Sequence, residues 1–219
     1  KPAVTLVAMP TPTQPPKAFD HAVLTDVTNS MKPNKGAQFA LAIVFAAMML
    51  ILCSPHNPGG RVWSEAELRQ VAEFCAAHDL ILVSDEIHHD LVLPGSPRHH
   101  VLARLVPEAA PRLVTLTAAT KTFNIAGAHI GNLIVADPDL RRRLSQRFMA
   151  LGISPGLFGP PMVAAAYSPE GAAWIDALVA YLAENARVFD AGIAAMPGAR
   201  SMKLQATYLS WVDFSGTGI

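Results

Sequence analysis

The sequence contains little charge and little cysteine. Charged residues make up 16% of its 219 positions, and 17 Lys and Arg residues balance 17 Asp and Glu residues, so the formal net charge is zero. Proteins that bind nucleic acid or anionic membranes by electrostatics need a basic surface, and we expect neither partner here. The two cysteines, Cys53 and Cys75, lie in or beside apolar segments. This favours reduced core thiols of a cytoplasmic protein over a disulfide.

The sequence also has no hydrophobic run long enough to span a membrane. The longest run, residues 39–53, has 15 residues, whereas a spanning helix needs at least about 18. It ends in the turn-forming residues 54–58, which indicates a buried helix or loop joined to a buried strand. Residues 1–16 contain one Lys, a short apolar stretch and then several prolines, a pattern unlike that of a signal peptide.

What the sequence does contain is an alternation of strand-like and helix-like segments. Apolar runs predict strands over 49–53, 80–84, 113–117 and 129–136. A capping box at Ser64 and Glu67 predicts the start of one helix, and an Asp137-Pro138 pair predicts the start of another. Strands that alternate with helices and are apolar on both faces predict an α/β fold, with a mostly parallel sheet flanked by helices.

Three regions of the chain differ in character. Residues 1–47 show no clear secondary-structure pattern, and four prolines between positions 10 and 16 exclude a regular helix there. We assign them to the N-terminal part of a large domain. Residues 48–165 carry the strand and helix pattern of that domain. Residues 166–219 contain a long helical segment and a predicted strand over 206–214, and we interpret them as the start of a smaller α+β C-terminal domain.

Three polar residues, Asn57, Asp85 and Lys121, each follow the carboxyl end of a predicted strand. Ligands of parallel α/β sheets bind beyond these ends, so we expect the three side chains to line one crevice. Alone, each has an ordinary explanation as a turn, cap or surface residue. Together they supply an amine, an amide and a carboxylate. These are the groups that hold pyridoxal phosphate at its aldehyde carbon, its phenolic oxygen and its pyridine nitrogen.

Longer stretches around these residues carry a family resemblance. SPHNPGGRVWSEAEL, VSDEIHHDL and TAATKTFNIAG, in this order, resemble fold-type I pyridoxal phosphate enzymes of the class I/II aminotransferase superfamily. So do the separations of 28 residues from Asn57 to Asp85 and 36 residues from Asp85 to Lys121. The combination of LCSPHNP, SDEIH and KTFNIAG resembles the cystathionine β-lyases of the MalY/PatB type. The resemblance covers residues 48–219 and implies that residues 48–165 form the cofactor-binding large domain.

The resemblance implies a role for each matching residue. Lys121 would be the catalytic residue and would also hold the cofactor as a Schiff base, while Asp85 would pair with the pyridine nitrogen. Asn57 would contact the phenolic oxygen, as would His88, at a position where many aminotransferases have Tyr. We expect the pyridinium cation to outweigh burial and to lower the pKa of Asp85. No metal ion is expected.

Residues near the lysine and near Asp85 have weaker assignments. Phosphate-binding groups cluster just before the lysine in this family, which implies a role for Thr117 and Thr120, with Thr120 or a backbone N–H favoured. Glu86 is interpreted as structural, and His89 and Asp90 as surface or supporting residues.

The chain also departs from the family pattern. Gln14 stands where a ring-stacking Tyr is expected, and His129 stands where many aminotransferases place a phosphate-binding Arg. The chain is little more than half as long as full members of the family, and no Arg is assigned to the substrate carboxylate. It therefore corresponds either to part of a longer enzyme, which we favour, or to a shortened chain that no longer catalyses.

The resemblance implies a pyridoxal 5′-phosphate-dependent carbon–sulfur β-lyase. Such an enzyme would convert L-cystathionine or related cysteine S-conjugates to a thiol, pyruvate and ammonia, and we expect it to be a homodimer in the cytoplasm. Two alternatives stay open. One is a class I/II aminotransferase, which shares Lys121 and Asp85, and the other is a non-catalytic regulator that binds a partner protein on the same fold.

Overall fold

The computed structural model describes residues 49–218. They contain a four-stranded sheet in the order β1 (Met49–Cys53), β2 (Ile81–Asp85), β3 (Leu113–Thr117) and β4 (Asn132–Ile134). The first three strands are parallel, and β4 is antiparallel to β3. The predicted mostly parallel sheet is therefore confirmed. The predictions for residues 1–47, including Gln14, lie outside the described residues.

Helices follow the strands along the chain. They are α1 (Glu65–Ala77), α2 (Leu102–Leu105), α3 (Ala119–Thr122), α4 (Pro138–Ala150), α5 (Gly159–Ala166) and α6 (Pro169–Ala194), with 3-10 turns at Pro107–Arg112 and Ala126–Ala128. The predicted capping box opens α1: Ser64 Oγ accepts a hydrogen bond from the Glu67 N–H, and the Glu67 carboxylate accepts one from the Ser64 N–H at 2.9 Å. No helix within residues 49–218 is long and apolar enough to cross a membrane.

Side chains from both faces of the sheet are buried against helices. One core cluster joins the strands to α1, with Leu50, Leu52 and Leu82 packed among Leu68, Val71 and Cys75. A second cluster joins the opposite face to α4, with Val83 and Val114 packed among Leu140, Leu144 and Phe148. Because both faces are covered, the strands appear in the sequence as continuous apolar runs. Both cysteines are free thiols, as predicted.

The fourth strand is shorter than the predicted range of 129–136. His129 has a left-handed backbone, with a φ of 46°, at the end of the second 3-10 turn, so an extended strand cannot begin there. At the other end, Asp137 caps α4 by accepting a hydrogen bond from the Leu140 N–H at 2.7 Å. The chain therefore turns into the helix directly after the strand.

The C-terminal residues form the predicted helices, but the predicted strand over 206–214 is wrong. The regular strands there are β5 (Arg200–Ser201) and β6 (Val212–Asp213), which pair antiparallel. Thr207 has a φ of 71°, which interrupts an extended chain. The N–H groups of Ala206 and Thr207 instead donate to the carbonyls of Gly60 and Leu91.

The long helix α6 carries apolar residues at helical spacing and buries them only in part. Ile175, Leu178, Leu182 and Ala186 are half-buried, and Ala173 is exposed. The division of the chain at residue 166 into a large and a small domain stays a prediction.

Candidate active site

The sheet brings the carboxyl ends of β1, β2 and β3 to one edge. Asp85, the last residue of β2, is aligned with Cys53, the last residue of β1, and with Leu116 near the end of β3. Asn57 follows β1 by four residues, and Lys121 follows β3 by four residues. The structure therefore places Asn57, Asp85 and Lys121 at the same edge of the sheet, where α/β folds bind ligands.

The Asp85 carboxyl lies half-buried at this edge. Burial raises its pKa above the ordinary value, and the neighbouring Glu86 adds to this effect. The Ile87 N–H, which donates to Asp85 Oδ1 at 3.3 Å, and the charge of Lys121 lower the pKa but do not outweigh burial. A cation placed against Asp85 would therefore stabilise its ionised form. The lowered pKa of Asp85 that was predicted from the sequence requires a bound pyridinium cation, so it stays a prediction.

Lys121 lies on α3, a single helical turn that follows β3. Its side chain is half-buried. Its charge lowers the pKa of both Asp85 and His88, so the amine acts electrostatically on two of the other predicted site residues. An amine, a carboxylate and an imidazole are thus grouped at the end of the sheet.

His88 is a buried imidazole with one unpaired nitrogen. It is 1% exposed, its Nε2 lies 3.5 Å from Asn57 Nδ2, and its Nδ1 has no hydrogen-bond partner. Burial and, secondly, the charge of Lys121 lower the pKa of His88 to about 4, so the ring is neutral at neutral pH. Buried polar atoms are normally paired. The unpaired Nδ1 therefore indicates a place where a polar ligand atom would be stabilised.

A cavity of about 200 Å³ opens at this edge. It is lined by Ile51, Cys53, His56, Asn57, Asp85, Ile87 and His88. Pockets for small molecules usually measure about 300–1,000 Å³, so this cavity accommodates part of a cofactor-sized ligand. Three predicted site residues line it, and Lys121 is not among the lining residues.

The two threonines that were predicted to lie near the cofactor phosphate are also not among the residues that line the cavity. Thr117, at the end of β3, accepts a hydrogen bond from Asn132 Nδ2 at 3.2 Å. Thr120 is buried on α3, and its carbonyl accepts a hydrogen bond from the Ile125 N–H at 3.0 Å. Their phosphate contacts stay predictions. His129, which stands where many aminotransferases place a phosphate-binding Arg, is exposed.

Four lining residues were not predicted from the sequence to belong to the site: Ile51, Cys53, His56 and Ile87. Positions 51 and 53 are alternate residues of β1, so the strand period could have placed them on one face. Burial, with the nearby charge of Asp85, raises the pKa of Cys53 to about 11. Its thiol therefore stays protonated at neutral pH and is a weak nucleophile. His56 Nδ1 accepts a hydrogen bond from the Gly59 N–H at 3.1 Å and holds the turn after β1.

The grouped side chains fit an aldehyde cofactor with a ring nitrogen. Lys121 has an amine that could form a Schiff base, Asp85 has a carboxylate that could pair with a protonated ring nitrogen, and His88 has an unpaired nitrogen that could face a ring oxygen. Within residues 49–218, no group of three or more His, Cys, Asp and Glu residues is arranged to hold a metal ion. The chemistry supported by these residues is covalent carbonyl chemistry with proton transfer.

Comparison with known proteins gives a consistent set of relatives. The cystathionine beta-lyase PatB of Bacillus subtilis is 40% identical over 174 residues, which cover 78% of this chain and 44% of that protein. Protein MalY of Escherichia coli is 36% identical over 171 residues, which cover 75% of this chain and 42% of MalY. The structure of cystalysin from Treponema denticola, which contains a pyridoxal 5′-phosphate cofactor, matches with a TM-score of 0.71 and 36% identity, over 76% of this chain and 42% of cystalysin.

The chain spans less than half the length of each of these relatives. The similarity nevertheless extends over most of this chain, and the structural match shows the fold predicted from the sequence. Residues 13–217 match the model of one family, described as aminotransferase class I and II. The chain therefore belongs to the aminotransferase class I and II family.

Proposed function

We propose that the chain carries the cofactor-binding site of a pyridoxal 5′-phosphate-dependent carbon–sulfur β-lyase. L-cystathionine or another cysteine S-conjugate, with one water molecule, would give a thiol, pyruvate and ammonia. The observation that carries the proposal is the placement of Asp85 at the carboxyl end of β2 and of Lys121 four residues beyond the end of β3, the neighbouring parallel strand. The 40% identity to cystathionine beta-lyase PatB supports this reaction over others of the family.

Each residue would have a defined task. When bound, the cofactor would supply an electron sink for the bonding pair left on the substrate Cα. Lys121 would hold the cofactor's aldehyde carbon. After the substrate amino group displaces it, its amine would take the proton from Cα. Asp85 would accept a hydrogen bond from the ring nitrogen and keep that nitrogen protonated.

Polar groups around the ring would orient it. Asn57 and His88 would face the phenolic oxygen, since His88 is neutral and has an unpaired Nδ1. Thr120, or a backbone N–H near it, would contact the phosphate, with Thr117 beside it. We also propose a homodimer in the cytoplasm, on the basis of the family resemblance.

An aminotransferase is the second candidate, because the matching family is described by that activity. It would use Lys121 and Asp85 in the same way, but the substrate would keep its Cβ–sulfur bond and pass its amino group to a keto acid. The two functions are distinguished by their products. Release of thiol and pyruvate from cystathionine supports the lyase, and transfer of the amino group to an added keto acid supports the aminotransferase.

The test of the proposed site uses the purified protein supplied with pyridoxal 5′-phosphate. We expect a visible absorption band that borohydride removes, and mass spectrometry should then locate the reduced cofactor on the Lys121 peptide. Lys121→Ala should abolish the band and the release of thiol. Lys203→Ala, at an exposed lysine, is the matched control and should retain both. An unchanged spectrum and unchanged turnover in Lys121→Ala would reject the assignment.

A further inference from the structure

The Asp90 carboxylate receives hydrogen bonds from three side chains, one of them its neighbour His89 and two from other segments of the chain. Thr122 Oγ1 donates to Asp90 Oδ2 at 2.9 Å, and His89 Nε2 lies 3.1 Å from Asp90 Oδ1. The hydroxyl of Tyr167, directly after α5, is also hydrogen-bonded to Asp90, and burial together with this carboxylate raises the pKa of Tyr167 to about 12. The Asp90 side chain thus joins the segment after β2 to the helix α3.

His89 is held between two hydrogen-bond acceptors. Its Nδ1 lies 2.7 Å from the Glu86 carbonyl oxygen, and its Nε2 faces the Asp90 carboxylate. Because both partners only accept, this arrangement favours the form of His89 in which both ring nitrogens carry a proton. Burial alone would lower the pKa of His89, but Asp90 and the Glu86 carbonyl raise it above its ordinary value.

Asp90 is correspondingly held in its ionised form. Burial alone would raise its pKa, but the hydrogen bonds from His89 and Thr122 keep the pKa below the ordinary value. Hydrogen bonds to an ionised acceptor are about twice as strong as those between neutral groups. The contact from Asp90 to Thr122 is therefore a strong link between the two segments.

The helix α3, which carries Thr122, depends on contacts with other segments for its stability. α3 is one turn long and has no side-chain hydrogen bond at its N-cap, and a single turn is not stable by itself. Thr122 is completely buried and directly follows Lys121. Its hydrogen bond to Asp90 ties the lysine-bearing turn to the segment that begins at Asp85.

From this geometry we propose that Asp90 is a positioning residue, which sets the placement of Lys121 relative to Asp85 through its hydrogen bond to Thr122. The proposal rests on the proposed function, because this placement matters when both residues hold one cofactor ring. A shift of about 1 Å at a reacting group can lower a rate by about 100-fold. The link therefore acts on the efficiency of Lys121 and not only on the stability of the fold.

The test compares two variants at Thr122 and one at Asp90 with a control elsewhere, in protein supplied with pyridoxal 5′-phosphate. Thr122→Val removes the hydroxyl with little change in shape, and Thr122→Ser keeps it. Asp90→Asn keeps the size of the side chain and removes its charge. Asp139→Asn, at an exposed carboxylate on α4, is the matched control. The readouts are the fraction of Lys121 that borohydride links to the cofactor, kcat and KM separately, and the melting temperature without cofactor.

Thr122→Val and Asp90→Asn are expected to lower the linked fraction of Lys121 and to lower kcat by about tenfold to 100-fold. Thr122→Ser and Asp139→Asn should stay near the wild type in both readouts. If both disrupting variants reach wild-type linkage and wild-type kcat, the positioning role is overturned even though the lyase stands. If the wild-type protein itself links no cofactor to Lys121, the proposed function is rejected and the positioning role with it.

Discussion

The imidazole of His88 packs edge-on against the ring of Tyr208, with the ring centroids 5.8 Å apart and the planes at 71°. The two residues are far apart in the sequence. The segment before Tyr208 is joined to the segment after His88 by the Thr207 N–H, which donates to the Leu91 carbonyl at 2.8 Å. The Gln205 and Ala206 N–H groups both donate to the Gly60 carbonyl, at 2.8 and 2.9 Å, and also hold this segment in place. The segment that was predicted to be a strand thus places an aromatic ring beside the candidate active site.

This ring contact should contribute measurably to stability. Tyr208→Leu is expected to lower the free energy of unfolding by about 1 kcal/mol, because edge-to-face aromatic pairs contribute about 0.5–1.5 kcal/mol beyond their buried area. Tyr208→Phe keeps the ring and should cost less. Urea denaturation measures both, with Tyr181→Leu on the exposed face of α6 as the control. Equal losses in Tyr208→Leu and Tyr181→Leu would contradict the role of the contact.

His88 should make the protein less stable in acid. Its pKa is lowered to about 4 by burial and by Lys121, while the unfolded chain keeps a value of about 6.5. The unfolded state binds more protons between these values. The contribution of neutral His88 to the free energy of unfolding is therefore fully present above about pH 6.5. It decreases as the pH falls towards about 4, by up to about 1.4 kcal/mol per pH unit.

Urea denaturation of the wild type and of His88→Asn at about pH 7, 5.5 and 4.5 checks this dependence, because the first value lies above both pKa values and the other two lie between them. The stability difference between the two proteins should shrink as the pH falls, since other titrating groups are common to both. A difference that stays constant over this range would mean that His88 does not titrate as inferred.

Removal of the Asp85 charge should weaken cofactor binding. Asp85→Asn keeps the size of the side chain but cannot form an ion pair with a protonated ring nitrogen. Since hydrogen bonds to charged groups contribute about 1.5–3 kcal/mol, the Kd for pyridoxal 5′-phosphate should rise by about tenfold to 100-fold. Titration of the visible band measures the Kd. Asp176→Asn, at an exposed position on α6, should leave it unchanged, and an unchanged Kd in Asp85→Asn would remove the carboxylate from the site.

The capping box of α1 should account for a defined part of the stability. Ser64→Ala is expected to cost about 1 kcal/mol, because the Glu67 N–H loses its partner at the helix start. Ser145→Ala, inside α4, is the matched control and should be neutral or slightly stabilising, since Ala is the better helix former. Urea denaturation gives both values. A smaller loss for Ser64→Ala than for Ser145→Ala would show that the cap is not used in solution.

Much of the fold was predictable because its signals are local. Continuous apolar runs identified β1 and β3 at their observed bounds, since both faces of these strands are buried. Ser64 and Asp137 identified two helix starts, since a capping side chain bonds to N–H groups within three residues of itself. The strand over 206–214 could not be corrected from the sequence, because its β-branched and aromatic residues favour an extended chain.

By itself, the sequence determined which polar residues follow which strands, and hence that Asn57, Asp85 and Lys121 meet at one edge of a parallel sheet. That outcome depends on strand direction and chain order, which local patterns encode. Only the tertiary structure decided that Asp90 binds Thr122 and that Tyr208 packs on His88. These contacts join residues distant in sequence, and their formation depends on how separate segments pack rather than on the propensity of either segment.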